Sequence, residues 1–420
     1  MNKNHPSMTK EVWFFTSELE GERAGSFRQV RWCNIFLQNN YRARVFNLTG
    51  IVGLKDVRFD NQKEFKDFRE RSEVLVHPRS GLREGFVVKI IRYLKHLLLT
   101  DLYRPNVIKL LIIAHRLLSR RKERVVLMVS SPPFSVAVVG ALLKYWHGNK
   151  VVLAVDMRDA WALHNALGGI KWIKRGIESA VLRRADHVST VSKWLANEFK
   201  ESYGINVDVI YNVATHYLDV ASAPRIVWSE VSNEISDIRL KLVYTGSTPV
   251  GHYDLKSIVS GVVSLRALHP DLASRIQLIF VGACNEVRRE AKHQGVIAGD
   301  IVFIEHLPHK IVRSVQASAD VLLFLAHHGE GNKGVVSTKL FEYLCLGKPV
   351  LPLSLHVCSD VDQLLHRYCG VSLNVHSANE IMKSLVSVAE SGSTKLPYLV
   401  RVDQVKELLD DYTNYAIRLL

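Results

Sequence analysis

Short apolar segments alternate with amphipathic helical segments along most of the chain, and the alternation runs through two consecutive series. The first series contains EVWFFT, RARVFNL, VVLMVSS and VVLAVDMRD, and the second contains LKLVYTG, IQLIFVG, DIVFIEH, ADVLLFLA and KPVLPL. Strands separated by helices predict parallel strands with right-handed crossovers. The two series therefore predict an α/β protein of two Rossmann-like domains, whose parallel sheets face each other across a cleft.

The alternation lapses in one central stretch, ATHYLDVASAPRIVWSEVSNEISD. We therefore predict an N-terminal domain over residues 1–212, a linker over 213–238 and a C-terminal domain over 239–400. The segment VDQVKELLDDYTNYAIRLL predicts a terminal amphipathic helix over 401–420, which can cross back to the N-terminal domain. Two domains also agree with a length of 420 residues, which exceeds what one hydrophobic core usually supports.

The positive charge of the chain lies in its first half. Residues 1–210 contain 35 Lys and Arg against 20 Asp and Glu, a net charge of +15, whereas residues 211–420 carry a net charge of −1. A basic half indicates an anionic partner, which could be nucleic acid, an anionic membrane or a phosphate-bearing substrate. Residues 86–124 combine cationic and aliphatic side chains at near-helical spacing, broken at Pro105. Such helices either lie in a membrane interface or cover the sheet with their basic side in water.

Cysteine spacing and apolar-run length limit the class of protein. No two cysteines have the C-x-x-C spacing of zinc or redox sites, so we expect buried reduced thiols and no metal. No apolar run approaches the roughly 18 residues of a membrane span, and the segment MNKNHPSMTKEVWFF lacks a signal-peptide layout. We expect a cytoplasmic location, with peripheral association at the inner face of the plasma membrane. The five cysteines are Cys33, Cys284, Cys345, Cys358 and Cys369.

The strongest chemical signal is the segment HHGEGNKGVVSTKLFEYLCLGKP, residues 327–349. It follows an apolar strand, passes through a Gly-x-Gly-x-x-Gly loop that ends at Gly334, and enters a helix capped by Ser337 or Thr338. Glycines let a backbone approach a ligand closely, and the N–H groups at a helix start suit a diphosphate. The segment therefore predicts an anion site between strand and helix.

Lys339 and Glu342 are three residues apart in this segment, so they share one face of the predicted helix. A cation beside a carboxylate suits a phosphate next to a ribose. An ordinary surface ion pair is the alternative.

The string STKLFEYLCLGKPVL resembles the signature helix of the retaining family-four glycosyltransferases, which have the GT-B fold, particularly those that build bacterial surface polysaccharides. The segments SSPPFSVAVVGALLKYW, DMRDAW, IESAVLRRADHVSTVSKWLANEFKESYG and VDVIYN resemble the same group in the same order, so the likeness extends from about residue 125 to 355. It implies a GT-B architecture and sugar transfer from a UDP- or GDP-sugar to a glycan or lipid-linked acceptor. It also implies retention at the anomeric carbon, without a metal or other cofactor.

The resemblance assigns donor-side roles to several residues. Glu342 matches the glutamate that holds the nucleotide ribose, and Lys339, Ser337 and Thr338 lie beside it. The family often has a second glutamate eight positions before the first, which contacts the donor sugar, but this sequence has Gly334 there. Glu330 is the substitute that the loop offers.

The family's basic pair for the diphosphate is also incomplete in this sequence. The segment YTGSTPVGHYDLK offers only His252 and Lys256 near the expected place. We therefore expect the backbone N–H groups of Gly246 and Ser247 to contribute to the phosphate site.

Candidate residues in the first half lie after two predicted strands. Gly25 with Arg28 or Arg31 resembles the family's first loop, and an arginine there would stabilise the charge that develops on the departing diphosphate. Both arginines could instead be solvent-facing helix residues. Asp159 matches the aspartate of the family's R-D-x-W string, which implies acceptor contact; helix capping is the alternative.

Three other classes of function stay open at this point. A nucleotide-sugar epimerase can share the fold, because a fold alone does not fix a reaction. A nucleic-acid-binding protein is favoured only by the basic half, and no helix-turn-helix, zinc-finger or RNA-stacking motif accompanies it, so we expect no nucleic-acid partner. A catalytically silent subunit is compatible with Gly334.

Overall fold

The chain forms two compact units in the computed structural model, Met1–Ala214 with Leu408–Leu420, and Thr215–Glu407. From Thr215 onward, the residues predicted as a linker thus belong to the second unit. The structure describes residues 11–16, 24–39, 41–47, 72–76, 105–162, 170–213, 225–305, 307–327, 334–353, 360–370, 377–392 and 402–419.

The first unit has a sheet of seven parallel strands in the order β3-β2-β1-β4-β5-β6-β7. Its strands are β1 (Glu11–Thr16), β2 (Arg42–Asn47), β3 (Ser72–Val76), β4 (Val125–Ser131), β5 (Val151–Met157), β6 (His187–Thr190) and β7 (Asp208–Val209). Its described α-helices before residue 214 are α1 (Ala24–Gln38), α2 (Pro105–Ser119), α3 (Phe134–His147), α4 (Lys171–Arg184) and α5 (Lys193–Tyr203). This is the strand order of a Rossmann sheet.

The second unit has a sheet of five parallel strands in the order β10-β9-β8-β11-β12. Its strands are β8 (Leu240–Thr245), β9 (Ile276–Val281), β10 (Ile301–Ile304), β11 (Val321–Leu325) and β12 (Val350–Leu353). Its helices are α6 (Trp228–Val231), α7 (Leu255–Leu268), α8 (Pro270–Ala273), α9 (Asn285–His293), α10 (His309–Ser318), α11 (Thr338–Cys345), α12 (Asp360–Cys369) and α13 (Ala378–Ser391). The predicted α/β fold class is confirmed by these two parallel sheets.

Both faces of the first sheet are covered, which explains why its central strands are apolar runs. On β1, Trp13 and Phe15 pack into a cluster with α2 and α3, whereas Val12 and Phe14 pack into a second cluster on the opposite face. The alternation follows from the period of two in a strand.

The second cluster is completed by the helix α14 (Val402–Arg418), whose residues from Leu408 onward belong to the first unit. Tyr412 and Tyr415 place their rings 4.7 and 5.4 Å from the ring of Trp32 on α1. This cluster of the first unit therefore combines side chains of α1 with side chains of α14.

Helix α2 begins at Pro105, where proline suits the first turn of a helix. Val107, Leu110, Ala114 and Leu118 are buried against the sheet, so this part of the predicted basic segment covers the sheet. Residues 86–104 of that segment lie outside the described residues. Within the described residues, no helix is long and apolar enough to cross a lipid bilayer.

Candidate functional site

The end of β8 in the second unit is shaped by a contact between Gly246 and Lys339. Gly246 has a φ of 142°, and a Cβ atom built on it would lie 2.5 Å from the Nζ atom of Lys339. The ammonium of Lys339 therefore lies beside the Gly246 backbone, where a side chain at position 246 would displace it, and the positive φ itself favours glycine. Two residues 93 positions apart in sequence are brought together at the carboxyl end of a parallel strand, where open α/β sheets bind ligands.

The backbone N–H and the carbonyl of Gly246 both have hydrogen-bond partners. Its N–H donates to the carbonyl oxygen of Val281 at 2.7 Å, and its carbonyl accepts from the thiol of Cys284 at 3.3 Å. A Cβ on Gly282 would collide with the Gly246 carbonyl oxygen. The expectation that the Gly246 N–H serves as a phosphate donor is therefore wrong, because that N–H already has a partner; Gly246 provides space instead.

Ser247 is held through its carbonyl oxygen, which accepts a hydrogen bond of 2.8 Å from the Tyr244 hydroxyl. The next residue, Thr248, donates its N–H to the carbonyl of Ala283 at 3.0 Å. These bonds fix the peptide group between Ser247 and Thr248. Its predicted role as a phosphate donor stays a prediction.

Helix α11 carries the predicted cation and carboxylate. Ser337 caps it, with its hydroxyl accepting from the Lys339 N–H at 3.4 Å, and Thr338 is its first residue. The helix buries Leu340, Phe341, Tyr343, Leu344 and Cys345, so Lys339 and Glu342 occupy the half-buried remaining face. The structure thus places Ser337, Thr338, Lys339 and Glu342 along one short helix whose start meets Gly246.

Gln316 on α10 positions Glu342 against the end of β8. Its Nε2 donates to Oε2 of Glu342 at 3.1 Å and to Oγ1 of Thr245 at 2.8 Å. Tyr343 adds a second tie, since its hydroxyl accepts from the Thr245 N–H at 3.1 Å. Sequence reasoning did not single out Gln316, because its link to Glu342 exists only after folding.

The loop between β11 and α11 is only partly described. Gly334 forms a half-buried turn three residues before Ser337. Glu330, the predicted substitute for the family's second glutamate, lies outside the described residues.

A histidine pair lies beside Lys339. The rings of His252 and His327 have centroids 5.6 Å apart, and the ring of Tyr253 is 5.1 Å from that of His327. Burial, together with the positive charges of His252 and Lys339, lowers the pKa of His327 to about 4. Neutral His327 is therefore electrostatically coupled to the same ammonium that crosses Gly246.

In the first unit, Arg28 is buried and paired with Asp156. Its Nε and Nη2 atoms donate to the two carboxylate oxygens at 2.8 and 2.6 Å, and its Nη1 donates to the Ile210 carbonyl and the Tyr412 hydroxyl, both at 2.8 Å. Burial alone would raise the pKa of Asp156, but Arg28 and the Ser189 hydroxyl lower it below its ordinary value. Arg28 therefore does not face solvent, and its guanidinium is held by partners within the first unit; its predicted role at the departing diphosphate stays a prediction.

The other predicted residues of the first unit lie near this pair. Arg31, on the same helix, is buried with its guanidinium carbon 4.6 Å from the Tyr412 ring centroid. Gly25 lies in the first turn of α1, whereas the prediction placed it in a loop before the helix. Asp159 is exposed, two residues after the end of β5.

The segment that carries Asp159 is held by a buried carboxylate that sequence reasoning did not single out. Glu178 on α4 accepts the N–H groups of Trp161 and Ala162 at 2.7 and 3.1 Å, and the Tyr203 hydroxyl at 2.6 Å. Burial raises the pKa of Glu178, although these hydrogen bonds oppose that rise. Three donors converge on it, so the turn after Asp159 is firmly anchored.

The described cysteines, Cys33, Cys284, Cys345 and Cys369, are buried and free. Cys358 lies outside the described residues. Where side chains are described, no group of three or more His, Cys, Asp and Glu could hold a metal ion.

The chain resembles known proteins in its structure rather than in its sequence. No family model matches the sequence, and no curated protein matches it. Solved structures do match along the whole chain. An α,α-trehalose-phosphate synthase (UDP-forming) from Burkholderia vietnamiensis aligns with a TM-score of 0.64 at 10% identity, over 98% of each chain.

Two further structures match over similar lengths. WaaG, a glycosyltransferase involved in lipopolysaccharide biosynthesis, aligns with a TM-score of 0.50 at 14% identity, over 97% of this chain and 95% of WaaG. UDP-GlcNAc 2-epimerase from Neisseria meningitidis, bound to UDP-GlcNAc, aligns with a TM-score of 0.50 at 12% identity, over 98% of this chain and 100% of the epimerase. The chain has the GT-B fold.

Proposed function

We propose that this protein is a glycosyltransferase that transfers a sugar from a nucleotide-diphosphate sugar, a UDP- or GDP-sugar, to a glycan or lipid-linked acceptor. The observation that carries the proposal is the placement of Lys339 over Gly246, with Glu342 one turn further along α11. A cation at the end of a central parallel strand suits a diphosphate, and the adjacent carboxylate suits ribose hydroxyls. The structural likeness to a UDP-forming synthase and to WaaG supports the same class of reaction.

In this proposal the donor lies along helix α11. Glu342, oriented by Gln316, accepts hydrogen bonds from the ribose, and Lys339 neutralises the diphosphate. The N–H groups at the start of α11, around Ser337 and Thr338, add partial positive charge. This arrangement needs neither a metal ion nor another cofactor, because fixed protein charges take up the charge of the leaving group.

The first unit presents the acceptor in the same proposal. The exposed carboxylate of Asp159 orients the attacking hydroxyl, and Arg31 contributes positive charge. The bond between the anomeric carbon and the diphosphate oxygen breaks, and a new bond forms to the acceptor oxygen. The acceptor hydroxyl attacks the face from which the diphosphate leaves, and its proton passes to the departing diphosphate oxygen. Configuration at the anomeric carbon is therefore retained, as in the family-four enzymes that the sequence resembles.

We also propose that the acceptor is a surface-polysaccharide precursor on an anionic membrane, at the inner face of the plasma membrane. Helices α2 and α3 contact each other and expose Ile108, Ile112, Tyr145 and Trp146. Exposed cations lie among them, including Lys109, Arg116 and Arg184, whose guanidinium covers the Tyr145 ring. Exposed aromatic and aliphatic groups next to cations suit an anionic lipid surface.

The epimerase alternative is favoured by one observation, the structural match to UDP-GlcNAc 2-epimerase. An epimerase converts its nucleotide sugar without an acceptor. Product analysis of each donor with and without acceptor therefore separates the two functions.

The proposal is tested by a thermal-shift screen over UDP- and GDP-sugars. A ligand that binds only the native protein raises its melting temperature, by linkage. We expect one donor series to raise the temperature, Glu342→Ala to abolish the shift, and Glu390→Ala, at an exposed glutamate on α13, to keep it. A Glu342→Ala protein that responds like the unaltered chain would refute the donor site.

A further inference from the structure

Three aromatic rings meet beside Lys339 at the carboxyl end of the second sheet. His252 and Tyr253 come from the segment between β8 and α7, and His327 lies two residues after the end of β11. The ring centroids of the two histidines are 5.6 Å apart. Two strands that are neighbours in the sheet therefore deliver two histidines to one place.

His327 has an unused polar atom in this cluster. Its Nδ1 is buried and has no hydrogen-bond partner among the residues that the structure describes. An unpartnered buried nitrogen is costly unless a ligand or water satisfies it. His252, by contrast, is exposed, so the pair spans the distance from solvent to the interior of the site.

We propose that His252 and His327 form the second cationic element of the diphosphate subsite, beside Lys339, and that donor binding protonates them. This inference rests on the proposed function, because it requires a diphosphate at Lys339. It assigns a role to the place where the sequence lacks the family's basic pair, with two titratable rings in place of permanent charges.

The direction of the effect follows from the charges around His327. Burial and the neighbouring positive charges of His252 and Lys339 lower the pKa of His327 to about 4, so the free protein holds it neutral. A diphosphate next to Lys339 reverses the sign of the local potential and raises the pKa of the ring. Binding then takes up protons, and affinity falls as pH rises.

Other groups around the histidines do not titrate in the same range. Burial raises the pKa of Tyr244 and of Tyr253, and it raises the pKa of Cys284 to about 11. Among the described residues, Lys339 and Arg288 are cations close to this cluster, and both act on Cys284. The histidine variants below therefore test whether a proton taken up on binding belongs to this pair.

The test is calorimetric titration of the full chain with UDP-glucose, UDP-N-acetylglucosamine and GDP-mannose, between pH 6 and pH 8.5. Each donor is titrated in buffers of different ionisation enthalpy, which gives the number of protons taken up. Nucleotide sugars are preferable to free nucleoside diphosphates, because a terminal phosphate monoester itself titrates near about pH 6. We expect proton uptake and up to about a tenfold loss of affinity per pH unit for each proton.

The variants assign the protons to residues. The double substitution His252→Gln/His327→Gln should weaken binding at pH 6 and remove both the uptake and the pH dependence. His252→Arg, at an exposed position, replaces the imidazole by a permanent cation, so its binding at pH 8.5 should be tighter than that of the unaltered chain. His269→Gln, an exposed histidine at the far end of α7, is the matched control and should behave like the unaltered chain.

The possible outcomes distinguish a failure of the histidine role from a failure of the proposed glycosyltransferase function. Donor binding without proton uptake, or uptake that persists in the double variant, overturns the role of the histidines and leaves the donor site standing. Absence of binding by every nucleotide sugar tested overturns both. If the double variant does not fold, His252→Gln alone, which changes an exposed side chain, replaces it in the same measurement of proton uptake.

Discussion

Arg28 and Asp156, 128 residues apart in sequence, form a bidentate ion pair in which neither side chain is exposed to solvent. The pair joins α1 to β5, and the Nη1 group of the guanidinium donates to the Ile210 carbonyl and the Tyr412 hydroxyl. Three other parts of the first unit therefore contact the guanidinium that α1 carries.

Replacing Asp156 by Ala should destabilise the first unit strongly, because it leaves a buried cation without its partner. Removing one member of a buried pair costs about 3–5 kcal/mol. Arg367→Ala breaks an exposed pair with Glu407 and should cost about 0–1 kcal/mol, so it is the control. Urea unfolding at pH 7 measures both, and equal small effects would show that the buried pair contributes nothing special.

The pH dependence of the same pair has a defined sign. Because the folded-state pKa of Asp156 is lowered, its stabilisation is present above the unfolded pKa and is lost as pH falls through the folded pKa. Asp156→Asn removes that contribution, so the stability gap between the two proteins should narrow on acidification.

Gly246 and Lys339 should behave as one unit in donor binding. Gly246→Ala forces the Lys339 side chain away, so each single variant should weaken nucleotide-sugar binding by about ten- to a hundredfold, the range for a hydrogen bond to a charged group. The double variant should lose little more than either single variant, because neighbouring residues that serve one interaction are not additive. Titration calorimetry measures the cycle, with Lys383→Ala on α13 as control; losses that multiply would show that Gly246 acts independently of Lys339.

Glu178 should make the first unit lose stability as pH rises through its folded-state pKa. Burial raises the pKa of this carboxyl, so its contribution is fully present below the unfolded pKa and is lost as pH rises through the folded value. The stability gap between the unaltered chain and Glu178→Gln should therefore shrink with rising pH. Thermal unfolding across pH 4–8 measures that gap; a gap that widens would assign Glu178 the opposite linkage.

The surface formed by Ile108, Ile112, Tyr145 and Trp146 should bind anionic vesicles more strongly than neutral ones. Ile112→Ser/Trp146→Ser should reduce vesicle binding several-fold, because exposed apolar groups lose their burial in the lipid interface. Ile238→Ser, at an exposed isoleucine of the second unit, is the control. Sedimentation with vesicles at increasing salt measures binding, and salt-independent binding would remove the electrostatic part.

The fold was predictable because its strands are buried on both sides. Segments such as EVWFFT and VVLMVSS became β1 and β4 with the predicted bounds, since central parallel strands need apolar side chains on both faces. β3 was missed, because SEVLV is short and begins with two polar residues.

The candidate site was predictable only where its residues are neighbours in sequence. Ser337, Thr338, Lys339 and Glu342 lie on one helix and were all proposed from spacing. The role of Gln316 and the meeting of His252 with His327 depend on which strands become neighbours. The buried pairing of Arg28 was not predicted for the same reason, since its carboxylate partner is distant in sequence.

The tyrosines of α14 give the chain an order of assembly. Tyr412 and Tyr415 supply part of the wall around Trp32, and the segment that holds them leaves the ribosome after all of Thr215–Glu407. While Thr215–Glu407 is synthesised, the first unit therefore lacks these two tyrosines, and the surface around Trp32 is left uncovered. A fragment ending at Ala214 would carry that uncovered surface permanently, which makes it a poor candidate for separate expression.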